Sequence, residues 1–480
     1  MEEMFSNISA MIPEIILVTS AMILLMVGSF YQKKSINFII FTAFVILFFL
    51  SFIELFIQKD TVYIFNSFYI EDGLTRISKF VIFLSSSISI IISSKWLRKT
   101  DKGAFEFPIL IMFSTIGMAL MVSANDLISL YLAIELQSLP LYVLASFNKS
   151  DIYSSESGVK YFILGALSSG LFLYGASLIY GFTGTTVFTE INYLSVTNEI
   201  GFLIGLVFLI SGIIFKISLA PFHMWAPDVY EGAATPVTSF FASVPKMAAI
   251  IVLIRILYVP FVDFTNNWYQ IIVFVSIFSI ALGSITAIWQ TNIKRLIAYS
   301  SIAHMGFAVL ALTTGKPEYI DSILIYMLIY VVSNIGFFTC LINIQNNTDE
   351  NIDKISDLVG LSIKNPSLAI SMGIYMFSFA GIPPLAGFFA KYFIFMAIIK
   401  EGLFYLAIFG LLMSVIGSFY YIRFVKVMFF DRSSEEKHYP FSRSLGFINL
   451  ICISFVVAFI IILSISPLAD LAKEASLVLN

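Results

Sequence analysis

Charge is what this chain has least of. Only 12% of its 480 residues are Asp, Glu, Lys or Arg, against about 25% in an ordinary soluble domain. The deficit excludes a soluble globular body of this length. Cysteine is almost missing as well: Cys340 and Cys452 stand alone, far apart and inside apolar segments. Two thiols cannot supply the roughly four ligands of an iron–sulfur cluster, and no zinc-site spacing is present, so both read as packing residues. The net charge is −3 and there is no long basic run, which points neither toward nor away from nucleic acid. The opening Met1-Glu2-Glu3 lacks the basic stretch of a cleaved signal peptide, so 11–30 is expected to remain as a first span.

What is there is hydrocarbon. Apolar residues make up 59% of the chain and the mean hydropathy is +0.95. Runs of about 18 or more apolar residues, each long enough to cross a bilayer, recur from end to end. The fold class is therefore all-α, a polytopic membrane protein of about 14 transmembrane helices. The candidate spans are 11–30, 36–57, 76–94, 107–123, 127–147, 158–181, 199–219, 235–258, 268–289, 295–314, 319–344, 366–399, 403–424 and 444–466. The polar connections 345–366 and 431–443 are too short to fold alone, so no soluble domain is expected.

Basic residues set the orientation. Loops on one side carry Lys33, Lys34, Lys95, Arg98, Lys99, Lys102, Lys149, Lys354, Lys364, Arg432, Lys437 and Arg443; span ends on that side add Lys294, Arg295, Arg423 and Lys426. The other side has little beyond Lys59, Lys316, Lys400 and Lys473, with Arg76 and Lys79 at the end of the third span. The positive-inside rule then puts both termini outside.

Against this background a few ionisable residues stand out. Glu135, Lys216, Lys246 and Lys391 each lie within an apolar stretch, where a charge costs at least ~2.5–3.5 kcal/mol. Such residues face the bundle interior and serve ion pathways or proton relays; interhelical salt bridges and snorkelling are the structural alternatives. Two spans also carry helix-breaking chemistry. One runs from Phe215-Lys216 through Pro221 to Pro227, the other is Gly381-Ile382-Pro383-Pro384 followed by Lys391. Proline removes a backbone donor, and the freed carbonyls survive at membrane depth only beside protein or water. The breaks fall in spans 7 and 12, five helices apart. Spans 4–8 and 9–13 are accordingly expected to be two five-helix repeats, inverted because the repeat number is odd. The expected division is 1–106, 107–258 (repeat one), 259–430 (repeat two) and 431–480.

Several segments carry a resemblance. They are Asn125-Asp126-Leu127 with Glu135 to Leu139, Gly158-Val159-Lys160-Tyr161, Phe215-Lys216 to Gly232, and Ser243-Val244-Pro245-Lys246. Asn292 to Ser301 and Gly381 to Phe388 complete the set. Together they resemble the antiporter-like membrane subunits of respiratory complex I, most closely the N-type branch of bacterial proton-pumping NADH:quinone oxidoreductase. The resemblance implies a proton pathway with a glutamate in span 5 and lysines in spans 7, 8 and 12, positions occupied here by Glu135, Lys216, Lys246 and Lys391. It implies partners among the other membrane subunits and no cofactor on this chain, with FMN, iron–sulfur clusters and quinone belonging to partner subunits. A bacterial inner membrane is the expected location, with an organelle inner membrane as the second reading. A cation/proton antiporter or membrane hydrogenase subunit, and a purely structural membrane subunit, are the competing readings.

Taking an ammonium out of water disfavours its charged form, and a carboxylate restores it. At ~4 Å and an effective dielectric of ~20 the attraction is about 4 kcal/mol. Glu135 and Lys216 are expected to form such a switchable pair, Lys246 to receive the proton centrally and Lys391 to pass it outward. Lys160, Lys294, His223 and His304 are secondary relay candidates; for Lys160 snorkelling serves equally well, and for Lys294 topology signalling does. Asp228 and Glu231 are expected to solvate an inward turn. Gly165, Gly170 and Gly175 are expected at helix contacts.

Overall fold

In hydrocarbon every backbone donor and acceptor has to be satisfied within the chain, which makes apolar runs of this length helical. The computed structural model describes residues 10–56, 61–99, 105–193, 200–347, 352–431 and 442–465. Helices α1 (Ile12–Tyr31) and α2 (Ile36–Phe56) pack on each other across a single 3-10 turn, Gln32–Ser35. A small antiparallel hairpin, β1 (Val62–Ile64) with β2 (Tyr69–Glu71), leads into α3 (Gly73–Lys99). Then come α4 (Glu106–Ser123), α5 (Leu127–Ala145) and α6 (Ile152–Thr183). The seventh span is broken into α7 (Ile200–Ile217) and α8 (Trp225–Gly232). It is followed by α9 (Thr235–Tyr258), α10 (Thr265–Ala287), α11 (Ile293–Leu310) and α12 (Ile320–Asn347). The twelfth span is broken into α13 (Pro366–Ala380) and α14 (Ala386–Lys400), and α15 (Phe404–Phe429) and α16 (Arg443–Ile465) close the order.

Eleven described stretches are long and apolar enough to cross a membrane, the first being the α1–α2 hairpin Ile12–Phe56. With that hairpin counted as two, and with the α13–α14 pair and α16 added, the described residues offer fourteen candidate crossings. The sequence windows 76–94, 158–181 and 403–424 prove too short, since α3, α6 and α15 run on through serines and charged residues at their ends. Such residues lower local hydropathy without breaking the helix. Lys59, Lys102, Arg432, Lys437 and Lys473 lie outside the described residues.

The inverted repeat is written in the backbone. Asp126 caps α5 by accepting from Ile128 N and Ser129 N, and Asn292 caps α11 by accepting from Arg295 N. Each cap is also one half of an isolated antiparallel bridge, Asp126 with Val187 and Asn292 with Lys354. The same two hydrogen bonds close each bridge: Leu127 N to Thr186 O (3.0 Å) and Phe188 N to Asn125 O (3.0 Å) in one, Ile293 N to Asp353 O (2.8 Å) and Ile355 N to Thr291 O (2.9 Å) in the other.

The breaks match as well. Helix α7 ends with Ser218 N bonded to Phe215 O and Leu219 N to Ile214 O; α13 ends with Gly381 N to Ser378 O and Ile382 N to Phe377 O. Both are Schellman terminations, which require a left-handed residue just past the helix. Ser218 (φ 66°) and Gly381 (φ 84°) supply it.

The core is organised around α9, every residue of which is buried. It packs against α3, α7 and α12.

Candidate functional site

Lys216 sits in the last turn of α7, immediately before the break, and is 7% exposed. Its Nζ donates to Ser138 Oγ at 2.7 Å and to Tyr142 OH at 3.5 Å, and lies 5.8 Å from the Tyr142 ring centre. Ser138 and Tyr142 are four apart on α5 and so share one face. Glu135, three residues before Ser138, lies on that face too. The expected direct pair is not formed: among the described residues Glu135 makes no ion pair, and its buried Oε1 has no hydrogen-bond partner. The hydroxyl of Ser138 takes the ammonium instead. The break itself is sealed by Trp225, whose indole Nε1 donates to Phe215 O at 2.9 Å.

Lys246 is 1% exposed, in the middle of α9 and just after Pro245. That proline has no N–H, so the carbonyl one turn back at Phe241 loses its helical partner. Tyr230 OH fills the gap, donating to Phe241 O at 3.1 Å, and its ring lies 5.4 Å from Lys246 Nζ. Lys246 Nζ donates to Ser218 Oγ at 2.7 Å and also to Ser301 Oγ. It therefore joins the break of the first repeat to α11 of the second.

From Ser301 the polar groups continue. Ser301 Oγ is 2.6 Å from Tyr330 OH, and the Tyr330 ring packs on His304 at 5.5 Å between centres. His304 is held on both nitrogens: Nδ1 is 2.7 Å from Tyr326 OH and Nε2 is 3.1 Å from Tyr421 OH. Tyr421 OH is in turn 2.5 Å from Ser300 Oγ.

His304 and Lys391 line one small cavity with Ser414, Tyr420 and Tyr421. Its volume is about 10 Å³, near the least a single water needs. A second cavity of about 10 Å³ is also lined by His304, together with Tyr326, Tyr330 and Ser378. Lys391 Nζ donates to Ser414 Oγ (2.9 Å) and to two carbonyls at the end of α13, Phe379 O (3.1 Å) and Ala380 O (3.0 Å). The broken helix thus leaves acceptors where the lysine needs them. Pro383 and Pro384 follow that end.

The remaining candidates separate from this row. Lys160 is part-exposed and pairs with Glu156 and Asp228, both at 2.7 Å. Asp228 also takes Arg295 at 2.7 Å, and Glu231 takes Arg295 at 2.9 Å. Asp228 and Glu231 therefore do more than solvate a turn: they tie α6 and α8 to α11. Lys294 is buried and donates to Ala233 O at 2.8 Å. His223 is buried in the turn after Pro221, with Nδ1 unpartnered. Of the glycines, a Cβ at Gly165 would run into Tyr142 and one at Gly175 would meet Gly205 O at 2.6 Å, whereas Gly170 has nothing within 4 Å. Gly170 is not a contact position.

The hydroxyl groups of the row, Ser138, Ser218, Ser301, Tyr326, Tyr330 and Tyr421, carry no charge that would set them apart in an apolar sequence. Ser300, Ser301 and His304 lie within a turn of one another in α11, which was the available signal. Among the described residues no group of three His, Cys, Asp or Glu side chains could hold a metal ion.

A family model described as NADH:quinone oxidoreductase/Mrp antiporter, TM, matches residues 124–417. The chain belongs to this family. The lysines of the row fall within the matched segment, and so do its hydroxyls from Ser138 to Ser414; Tyr420 and Tyr421 lie just past its end. Over 429 residues it is 46% identical to NADH-quinone oxidoreductase subunit N of Rhodospirillum rubrum, covering 88% of each chain. With the subunit N of Pelagibacter ubique it shares 48% over 432 residues, covering 90% of this chain and 91% of the other. Among solved structures, a chain of respiratory complex I from Thermus thermophilus with bound Aureothin superposes with a TM-score of 0.82 at 29% identity, over 96% of this chain and 99% of that one. Family membership and the break geometry agree on one architecture of antiporter-like helices.

Proposed function

We propose that this chain is the proton-translocating membrane subunit of an NADH:quinone oxidoreductase, and that Glu135, Lys216, Lys246 and Lys391 carry the proton. The observation behind this reading is the row of polar groups through an otherwise apolar core: Ser218, Lys246, Ser301 and Tyr330 in hydrogen-bonded sequence, then His304, then a cavity shared with Lys391. Each lysine is held by neutral oxygens. An ammonium with no fixed counter-ion is the kind of group that can give up its proton when a charge nearby changes.

Glu135 supplies that change. It lies one turn from the hydroxyl that holds Lys216, so a rotamer change would exchange Ser138 for a carboxylate as partner. The proton then passes from Lys216 past Ser218 to Lys246, along Ser301, Tyr330 and His304, and on to Lys391. His304 is a link between the central and terminal lysines; Lys160, Lys294 and His223 support the α8–α11 junction and the break. The functional units are 107–258 and 259–430, flanked by 1–106 and 431–480.

Redox chemistry belongs to partner subunits, where FMN, iron–sulfur clusters and quinone are held. The complex sits in a bacterial inner membrane with both termini of this chain on the outer side.

The test is the whole complex carrying Lys391→Ala, in inverted membrane vesicles. NADH oxidation should drive sharply reduced proton uptake while the complex assembles in full. Undiminished uptake by fully assembled mutant complex sinks the assignment of Lys391.

A further inference from the structure

A second group of ionisable side chains closes up away from the lysine row, where α1, α2, β2 and the first turns of α3 meet. Lys79 is fully buried, and its Nζ lies 2.5 Å from Glu14 Oε1 and 2.5 Å from Glu71 Oε2. It also donates to Tyr69 OH at 2.7 Å. Tyr69 OH is within 3.0 Å of Glu14 and 3.2 Å of Glu71, completing a closed set. Glu54, near the end of α2, is 1% exposed, and neither of its carboxyl oxygens has a hydrogen-bond partner.

The charges do not balance if every group is ionised. Three glutamates face the one ammonium of Lys79. Asp72, next in the chain, is already neutralised by Arg255, and the remaining cation bearing on Glu54 is Arg76. Lys79 is committed to Glu14 and Glu71. Nothing donates to Glu54. A carboxylate stripped of water and of donors is far harder to hold than the neutral acid.

We propose that this cluster is a proton-binding site separate from the lysine row, with Glu54 as the neutral acid and the Glu14–Lys79–Glu71 set as the charge-bearing half. Glu71 lies in the hairpin, outside the spans. Burial pushes its carboxyl up to about 7, against the pull of the Lys79 ammonium and with Glu14 adding to the rise. It is therefore a fitting acceptor near neutral pH. Transfer breaks the O–H bond of Glu54 and forms one on Glu71, and the negative charge moves to Glu54. The ligand is the proton itself, held on the face where the first three helices and the hairpin join. The site does not rest on the lysine pathway and survives or fails by itself.

Infrared difference spectroscopy on the intact purified complex tests it, comparing the unmodified complex with one carrying Glu54→Gln. Loss of one carboxylic-acid C=O band, which shifts on exchange into D2O, is the expected result. Loss of a carboxylate band instead, or a lost acid band insensitive to D2O, overturns the proposal. Lys79→Met provides an independent arm that keeps all three glutamates. Removing the single ammonium should add one carboxylic-acid band, and an unchanged acid region in that variant equally overturns the assignment.

Discussion

Ser301 occupies in the second repeat the position that Glu135 occupies in the first, nine residues past the helix cap in each case, and Ser301 is bonded to Lys246. The same place in the two repeats thus carries a carboxyl near Lys216 and a hydroxyl on Lys246. The central lysine is addressed from both repeats, through Ser218 and through Ser301.

Removing that hydroxyl should therefore interrupt transfer without disturbing the fold. A hydrogen bond to a charged group contributes about 1.5–3 kcal/mol, and about 1.4 kcal/mol is a factor of ten in rate. Ser301→Ala is expected to lower NADH-driven proton uptake about tenfold, and Ser301→Thr to retain most of it. Equal uptake by the alanine and threonine variants would remove Ser301 from the route.

Lys216 is held by Ser138, with Glu135 a turn away. Glu135→Gln should depress proton uptake by about tenfold or more, the lower end of what a positioned proton-transfer group supplies. Ser138→Ala should have the milder effect, since Tyr142 remains as a partner. If Ser138→Ala proved the more damaging of the two, Glu135 would have no switching role.

Arg255 of α9 makes a two-pronged bond to Asp72 (2.9 and 3.0 Å) and a third bond to Thr75, all fully enclosed. Breaking such a pair from one side costs about 3–5 kcal/mol, because the surviving charge is stranded. Arg255→Met or Asp72→Leu alone should sharply cut the amount of assembled subunit recovered from membranes. The double substitution should restore much of it, and recovery no better than the worse single variant would contradict this account.

Gly175 and Gly170 lie on the same helix and make opposite predictions. A Cβ at Gly175 meets backbone atoms of α7, Gly205 O and Leu209 N, each at 2.6 Å, so the α6–α7 contact would have to open. Gly175→Ala should lower the thermal stability of the purified complex, while Gly170→Ala should leave it unchanged. Comparable stability for the two variants would show that α6 and α7 are free to separate.

Most of the architecture was legible because two signals survive without partners. Apolar runs fix the spans, and Pro221, Pro383 and Pro384 mark the breaks. Lys216, Lys246 and Lys391 were conspicuous because charge inside such runs has few harmless explanations. What escaped were relationships across the chain. Lys79 looked like an end-of-span residue, although Glu14, 65 residues earlier, makes it the centre of a buried cluster. Arg255 and Asp72 are 183 residues apart and gave no local sign of each other. The Glu135–Lys216 pair was inferred from span positions, which cannot resolve the single turn that puts Ser138 nearer. The repeat was marked faintly in residue types and plainly in backbone hydrogen bonds, because capping and chain-reversal geometry tolerates Asp for Asn and Ser for Gly.

Helix α9 never meets lipid along its whole length. Its composition consequently answers to protein neighbours alone, which is how one helix can hold both Lys246 and Arg255. In lipid alone Lys246, at the middle of the segment, would cost about 2.5–3.5 kcal/mol. The place of α9 is thus secured by the helices that surround it, α3, α7 and α12 above all, so that a span carrying two cations is held by protein rather than by lipid.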